Sequence, residues 1–98
     1  MPLPDYEGWA IFAAVAAAGS FSGAARALGL PPAAVSKGIA RLEAGLDLAL
    51  FHRTTRRVSL TTAGARLLPE AEAMVAAAAA AVETARDGRG ALAGPIRL

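Results

Sequence analysis

The chain contains no cysteine, which excludes a disulfide scaffold and a thiolate metal site. It has one histidine, His52, so there is no imidazole cluster for a metal or for acid–base chemistry. Aromatic residues are scarce, with three Phe, one Trp and one Tyr. No apolar run reaches the roughly 18–20 residues that a bilayer span needs. The longest runs, Trp9–Ala18 and Ala73–Val82, are bounded by glycine or by acids. The segment before Trp9 carries Asp5 and Glu7 and no base, the opposite sign from a secretory leader. Paired carboxylates, a nucleophile with its base and a phosphate-cradling glycine loop are missing as well, so an enzyme is not expected.

What is abundant is alanine. Its 27 residues raise the hydrophobic share to 55% and the mean hydropathy to +0.44 without supplying bulk. Ninety-eight residues make one modest core, with room for an appendage. The net charge of +2 is the sum of three unlike segments. Residues 1–25 are acidic through Asp5 and Glu7. Residues 26–66 hold Arg26, Lys37, Arg41, Arg53, Arg56, Arg57 and Arg66 against Glu43 and Asp47, a surplus of +5. Residues 67–98 return to −1. A basic middle between acidic flanks points to an anionic partner, nucleic acid being the usual one.

Periodicity and caps predict the elements. A first helix runs from about Asp5 to Ala18, with Trp9, Phe12, Val15 and Ala16 as its apolar stripe, and Gly19-Ser20 ends it. Ser20 caps a second helix, about Phe21 to Leu28, on which Phe21, Ala24, Ala25 and Leu28 share a face. Gly29 closes it. Pro31-Pro32 opens a third helix to about Leu46, with Val35, Ile39, Leu42 and Leu46 turned inward. Ala33, Ser36, Lys37, Ala40 and Ala44 lie on the opposite face and Arg41 at its edge, a surface slim enough to enter a groove. Two helices joined by a glycine turn, the second presenting such a face, form a helix-turn-helix pattern.

The next segment, LALFHRTTRRVSL, reads as a β-hairpin with Thr54-Thr55 in the loop and Arg53, Arg56 and Arg57 crowding the tip. A hairpin so placed and so charged is a wing, suited to phosphates or to a narrow minor groove. Thr61 then caps a long helix predicted to reach about Arg86, with a kink expected near Pro69. Leu68, Ala71, Val75, Ala78, Val82 and Ala85 repeat at three- and four-residue spacing, a heptad seam fit for a partner helix. Leu67, Met74 and Ala81 make a second stripe. The tail GRGALAGPIRL reads as a linker.

The order of AAAGSFSGAARALGL, AVSKGIARLE, LFHRTTRRVSLTTAG and a closing G-x-IRL resembles the N-terminal part of the LysR-type transcriptional regulators, from Phe12 to Leu98. The resemblance implies a mainly α, winged helix-turn-helix domain over residues 1–60 and a dimerisation helix over 61–87. A hinge over 88–98 would lead to an effector domain, where a small-molecule inducer would bind; no cofactor is expected in this chain. By position, Ser36 and Lys37 match the recognition-helix residues that meet phosphates and bases, and Arg53, Thr54 and Arg56 match the wing. Three positions depart from the family. Pro31 replaces a capping serine, Pro32 replaces a residue that often reaches bases, and Asp47 replaces the glycine that ends the helix. The prolines leave Ala33 and Ala34 at the helix start, able to meet only a thymine methyl. Asp47 can adopt the left-handed turn at modest cost, so the helix end should survive.

The expected DNA-contacting set is therefore Ala33, Ala34, Ser36, Lys37, Arg41, Arg53, Thr54, Arg56 and Arg57. The expected dimerisation set is Leu68, Ala71, Val75, Ala78 and Val82. Glu43 is read as a structural partner of a cation, Trp9 as core or interface, and His52 as a wing residue with no catalytic role. The expected partner is double-stranded promoter DNA with an interrupted palindrome, bound by a homodimer (a tetramer in a longer protein) in the bacterial cytoplasm, on the nucleoid and away from membranes. The alternative is a helical protein-interaction module without specific DNA binding.

Overall fold

The computed structural model describes residues 3–53 and 58–92. Helices α1 (Tyr6–Ala18), α2 (Phe21–Leu28) and α3 (Pro32–Leu46) are followed by strands β1 (Phe51–Arg53) and β2 (Val58–Leu60) and by a long helix α4 (Thr62–Leu92). Each boundary has a local cause. The Asp5 carboxylate accepts from the Gly8 amide at 3.0 Å, and the Ser20 hydroxyl accepts from Gly23 at 2.9 Å, so α1 and α2 begin on side-chain caps. α3 begins on proline instead. Pro32 lacks the amide that a helix start leaves unpaired, and the Pro31 carbonyl takes the amides of Ala34 and Val35. α3 ends on Asp47 at φ 56°, the left-handed turn expected of it and, among the described residues, the one non-glycine at positive φ.

The core lies where the three short helices meet the hairpin. Ile11, Phe12 and Val15 of α1 pack with Ala24 and Ala25 of α2, Val35, Ile39 and Leu42 of α3, and Leu50 and Phe51. Phe51 is the hub: its ring lies 5.4 Å from Phe12 and 6.1 Å from Phe21, both edge-on. β1 and β2 pair antiparallel, with Phe51 opposite Leu60, His52 opposite Ser59 and Arg53 opposite Val58. The hairpin is thus the winged element expected from sequence, although its tip, residues 54–57, lies outside the described residues.

α4 is bonded to the wing at its first turn. The Thr61 hydroxyl accepts from the Gly64 amide at 2.9 Å and donates to the Ala49 carbonyl at 2.6 Å, while the Thr61 amide donates to the Leu50 carbonyl at 3.0 Å. Gly64 then crosses Leu50 so closely that a Cβ would strike the Leu50 carbonyl, which is backbone and cannot rotate away.

Four expectations require correction. In α1 the buried residues are Gly8, Ile11, Phe12 and Val15; Trp9 and Ala16 are half-buried, and Ile11 carries the contact to Gly38 of α3. Leu28, placed on the inner face of α2, is 40% exposed. α4 continues past Arg86 to Leu92 through Gly88 and Gly90, because glycine inside a helix costs about 1 kcal/mol and does not by itself turn the chain. Finally, Ala71 is fully buried in this chain's own core, with Leu67 and Leu68 packed beside it, so the first turns of α4 belong to the domain rather than to a free seam. Pro69 lies inside α4, on its exposed side, and the helix is continuous across it.

Candidate nucleic-acid interface

The outer face of α3 is built as the spacing predicts. Val35, Gly38, Ile39 and Leu42 are buried, which leaves Ala33, Ser36, Lys37, Ala40 and Ala44 exposed; Ala34 is half-buried. The face is narrow because its side chains are methyl groups, one hydroxyl and one lysine. Lys37 has no acidic partner among the described residues.

The two arginines beside this face are held by acids. Arg41 reaches away from the groove toward the start of α1, where its Nε donates to Asp5 Oδ2 at 2.8 Å and its Nη2 donates to Asp5 Oδ1 at 3.1 Å and to Glu7 Oε1 at 3.2 Å. The Arg41 bond holds the Asp5 carboxyl below its ordinary range, assisted by the Gly8 amide and opposed by partial burial. The same bond raises Arg41. Arg41, expected at the groove edge, here also ties α3 to α1 through these acids. It lies on the α1-facing flank of α3, where Asp5 is within reach although 36 positions away in sequence.

Arg53 sits on the opposite flank. Its Nη2 donates to Glu43 Oε1 at 2.8 Å, and its guanidinium carbon stands 5.4 Å from the centroid of the Phe21 ring. The second Glu43 oxygen accepts from the Leu50 amide at 2.7 Å, so Glu43 is bonded both to the wing base and to its arginine. Arg53 and Ser36 line one cleft of about 210 Å³ together with Phe21 and Val58. The structure therefore brings Ser36 and Arg53 together, from α3 and β1, and leaves Lys37 open on the groove face. Thr54, Arg56 and Arg57 lie outside the described residues.

Of the expected dimerisation set, Ala71 is internal, Leu68 is packed against the core, Val75 and Ala78 are half-buried and Val82 is 49% exposed. His52 is exposed on β1 opposite Ser59, and no group of three or more His, Cys, Asp or Glu side chains among the described residues could hold a metal ion. Among those residues no single helix is long and apolar enough to cross a membrane.

Two roles were missed from sequence: Phe21 as a platform for Arg53, and Asp5 with Glu7 as partners of Arg41. Phe21 gave a signal only as an apolar stripe residue. The acids gave one only as the sign of the N-terminal segment, which matches them to the basic middle without saying to which base.

The sequence model for bacterial regulatory helix-turn-helix proteins of the lysR family matches residues 7–65, more than half of the chain. This chain belongs to the lysR family. Among curated relatives of this lysR-family chain, a probable hydrogen peroxide-inducible genes activator of Mycobacterium avium is 52% identical over 76% of the chain and 24% of its own length. The HTH-type transcriptional regulator ShiR of Corynebacterium glutamicum is 45% identical over 89% of the chain and 30% of its own length. The chain thus spans about a quarter to a third of these two lysR relatives. Among solved structures, oxidised Corynebacterium glutamicum OxyR superposes with a TM-score of 0.82 at 32% identity, over 86% of this chain and 27% of OxyR. The CbnR DNA-binding domain, solved in complex with DNA, superposes with a TM-score of 0.74 at 29% identity, over 85% of this chain and 95% of that one.

Proposed function

We propose that this lysR-family chain binds double-stranded promoter DNA sequence-specifically, with α3 in the major groove and the wing on the backbone and minor groove. The observation that carries the reading is the outer face of α3: alanines small enough to enter a groove, Lys37 open at its centre, and Ser36 lining with Arg53 the cleft beside it. Lys37, Ser36 and Arg53 contact phosphates or base edges. Ala33 offers a methyl group to a thymine. Thr54, Arg56 and Arg57 complete the wing contact. Phosphate contacts and DNA shape carry an unusual share of recognition, because Pro31 and Pro32 supply no donor at the helix start. The likeness to the CbnR DNA-binding domain, solved in complex with DNA, supports the DNA-binding reading.

The chain acts as a homodimer through α4, with half-buried Val75 and Ala78 and exposed Val82 facing a second copy, so that two α3 helices reach successive major grooves of an interrupted palindrome. In a longer protein the assembly is that dimer or a tetramer built from it, and the small-molecule inducer belongs to an effector domain outside these residues. The reading places the protein in the bacterial cytoplasm, on the nucleoid, with no catalysis of its own.

A salt titration of binding to promoter DNA tests this. Each lost phosphate contact lowers the log–log slope by about 1. Lys37→Ala, Arg53→Ala and Arg56→Ala should each weaken binding and flatten the slope. If all three leave affinity and slope as they were, the face is misassigned.

A further inference from the structure

Two arginines flank the open face of α3, and each is held by acids, but only one has a carboxylate that also bonds the wing backbone. Glu43 is that carboxylate. Its side chain is 17% exposed, one oxygen takes the Leu50 amide at 2.7 Å and the other takes Arg53 at 2.8 Å. Phe21 lies against the same guanidinium, and Arg53 lines the cleft it shares with Ser36. We propose that Glu43 is a positioning residue that sets sequence discrimination: it fixes the Arg53 fork beside Ser36 and cancels its charge, so that Arg53 contributes at one docked register and little elsewhere. This rests on the reading of the α3 face as a DNA interface.

The physical argument separates two things an arginine offers DNA. Its charge attracts any phosphate at any position, which raises affinity for all sequences alike. Its planar donors reward one geometry only. At 2.8 Å from a carboxylate the pair is close to neutral at distances beyond about 10 Å, so the general attraction largely vanishes. A guanidinium has five N–H donors, and among the described residues Glu43 takes one of those of Arg53; the others can meet a phosphate or base edge that arrives in register. Held on a second side by Phe21, the fork is ordered before DNA arrives, so less side-chain freedom is lost on docking. A lone surface lysine such as Lys37 does the opposite, giving charge without geometry.

The test uses the whole chain and two probes: a random-sequence duplex, and a duplex enriched from a random pool by the unaltered chain. Glu43→Gln keeps an acceptor for the Leu50 amide but removes the charge. It should steepen the salt slope on random duplex by about 1 and lower the ratio of enriched-to-random affinity about tenfold. Asp47→Asn is the charge-matched control on the same helix, at a left-handed position that asparagine tolerates. It should raise both affinities together and leave the ratio unchanged. In an Arg53→Gln background, Glu43→Gln should no longer alter the ratio. Arg53→Lys leaves Glu43 and its backbone bond in place, so it reports even if Glu43→Gln folds poorly; it should lower the ratio with the slope unchanged. A ratio for Glu43→Gln equal to that of Asp47→Asn, the same loss in the Arg53→Gln background, or an unchanged ratio for Arg53→Lys overturns the role of Glu43. Failure of the unaltered chain to enrich any duplex overturns the DNA reading itself, and the role of Glu43 with it.

Discussion

The two halves of α4 carry one continuous alanine-rich pattern and meet opposite fates. In the first half Ala71 is fully buried and Leu67 and Leu68 lie against the core; in the second, Val82 is 49% exposed and Ala79–Asp87 are exposed throughout. The difference is what lies across from each half. α1 and the hairpin cover the first turns, whereas the 56 Å long axis of the molecule carries the rest of the helix beyond them. A heptad seam therefore reports that a surface is packable and leaves its partner unspecified. Here one seam is divided between this chain's own core and a surface proposed for a second copy.

Placing a charge in each half tests that division most severely. Ala71→Asp buries a carboxylate with no partner and should cost at least about 3 kcal/mol, seen as a collapse of the thermal transition. Val82→Asp should leave the monomer within about 0.5 kcal/mol of its original stability and weaken self-association at least about tenfold, read by sedimentation equilibrium. If Val82→Asp destabilised the fold as much as Ala71→Asp, the two halves would not differ in kind. Thr61→Ala probes the anchor of the first half. It removes the helix cap and the bond to Ala49 together, and should cost about 1–2 kcal/mol in urea melts with self-association of the folded chain unaffected.

The smallest effect is expected away from α4, at Asp5, and it sets the floor of the comparison. The Asp5 pKa is lowered from 3.8, first by the Arg41 bond. A carboxyl with a depressed folded value stabilises the fold above its unfolded pKa, and that contribution is lost as pH falls through 3.8 and below. Asp5→Asn can still cap α1, so it isolates the ionic part. It should shift the midpoint slightly near neutral pH and flatten the acid limb of the stability curve. An acid limb identical to that of the unaltered chain would show that the Arg41 tie contributes nothing to folding.

Much of the fold was legible because its boundaries are chemical. Ser20, Gly29, Pro31-Pro32 and Asp47 are caps or turns whatever surrounds them, and α2 and α3 begin and end where they say. Ile11 was not legible. α1 is apolar almost all round, so periodicity has no contrast with which to choose its inner face. The outer face of α3 could be read from Val35, Ile39 and Leu42, since the buried set fixes its complement. The fate of Arg41 could not, because its partners lie 36 and 34 positions upstream and no local pattern links them. Ala71 and Val82 are equivalent in spacing and differ only in tertiary surroundings. Glu43 was legible as the partner of a cation, but its simultaneous hold on the Leu50 amide follows from the path of the chain between α3 and β1.

The bonds from Thr61 to Ala49 and Leu50, with Gly64 pressed against the Leu50 carbonyl, leave no slack between the root of α4 and the entrance to the wing. Mechanically, α4 is a lever clamped over its first turns, from Thr61 to Ala71. The roughly 21 residues beyond Ala71 span about 32 Å, so a change of tilt of about 5° at the clamp displaces the far end by about 3 Å. The same leverage in reverse means that a few ångströms imposed on the distal end of α4 reach the core at Ala71, and through it the contacts of Thr61, as a small rotation.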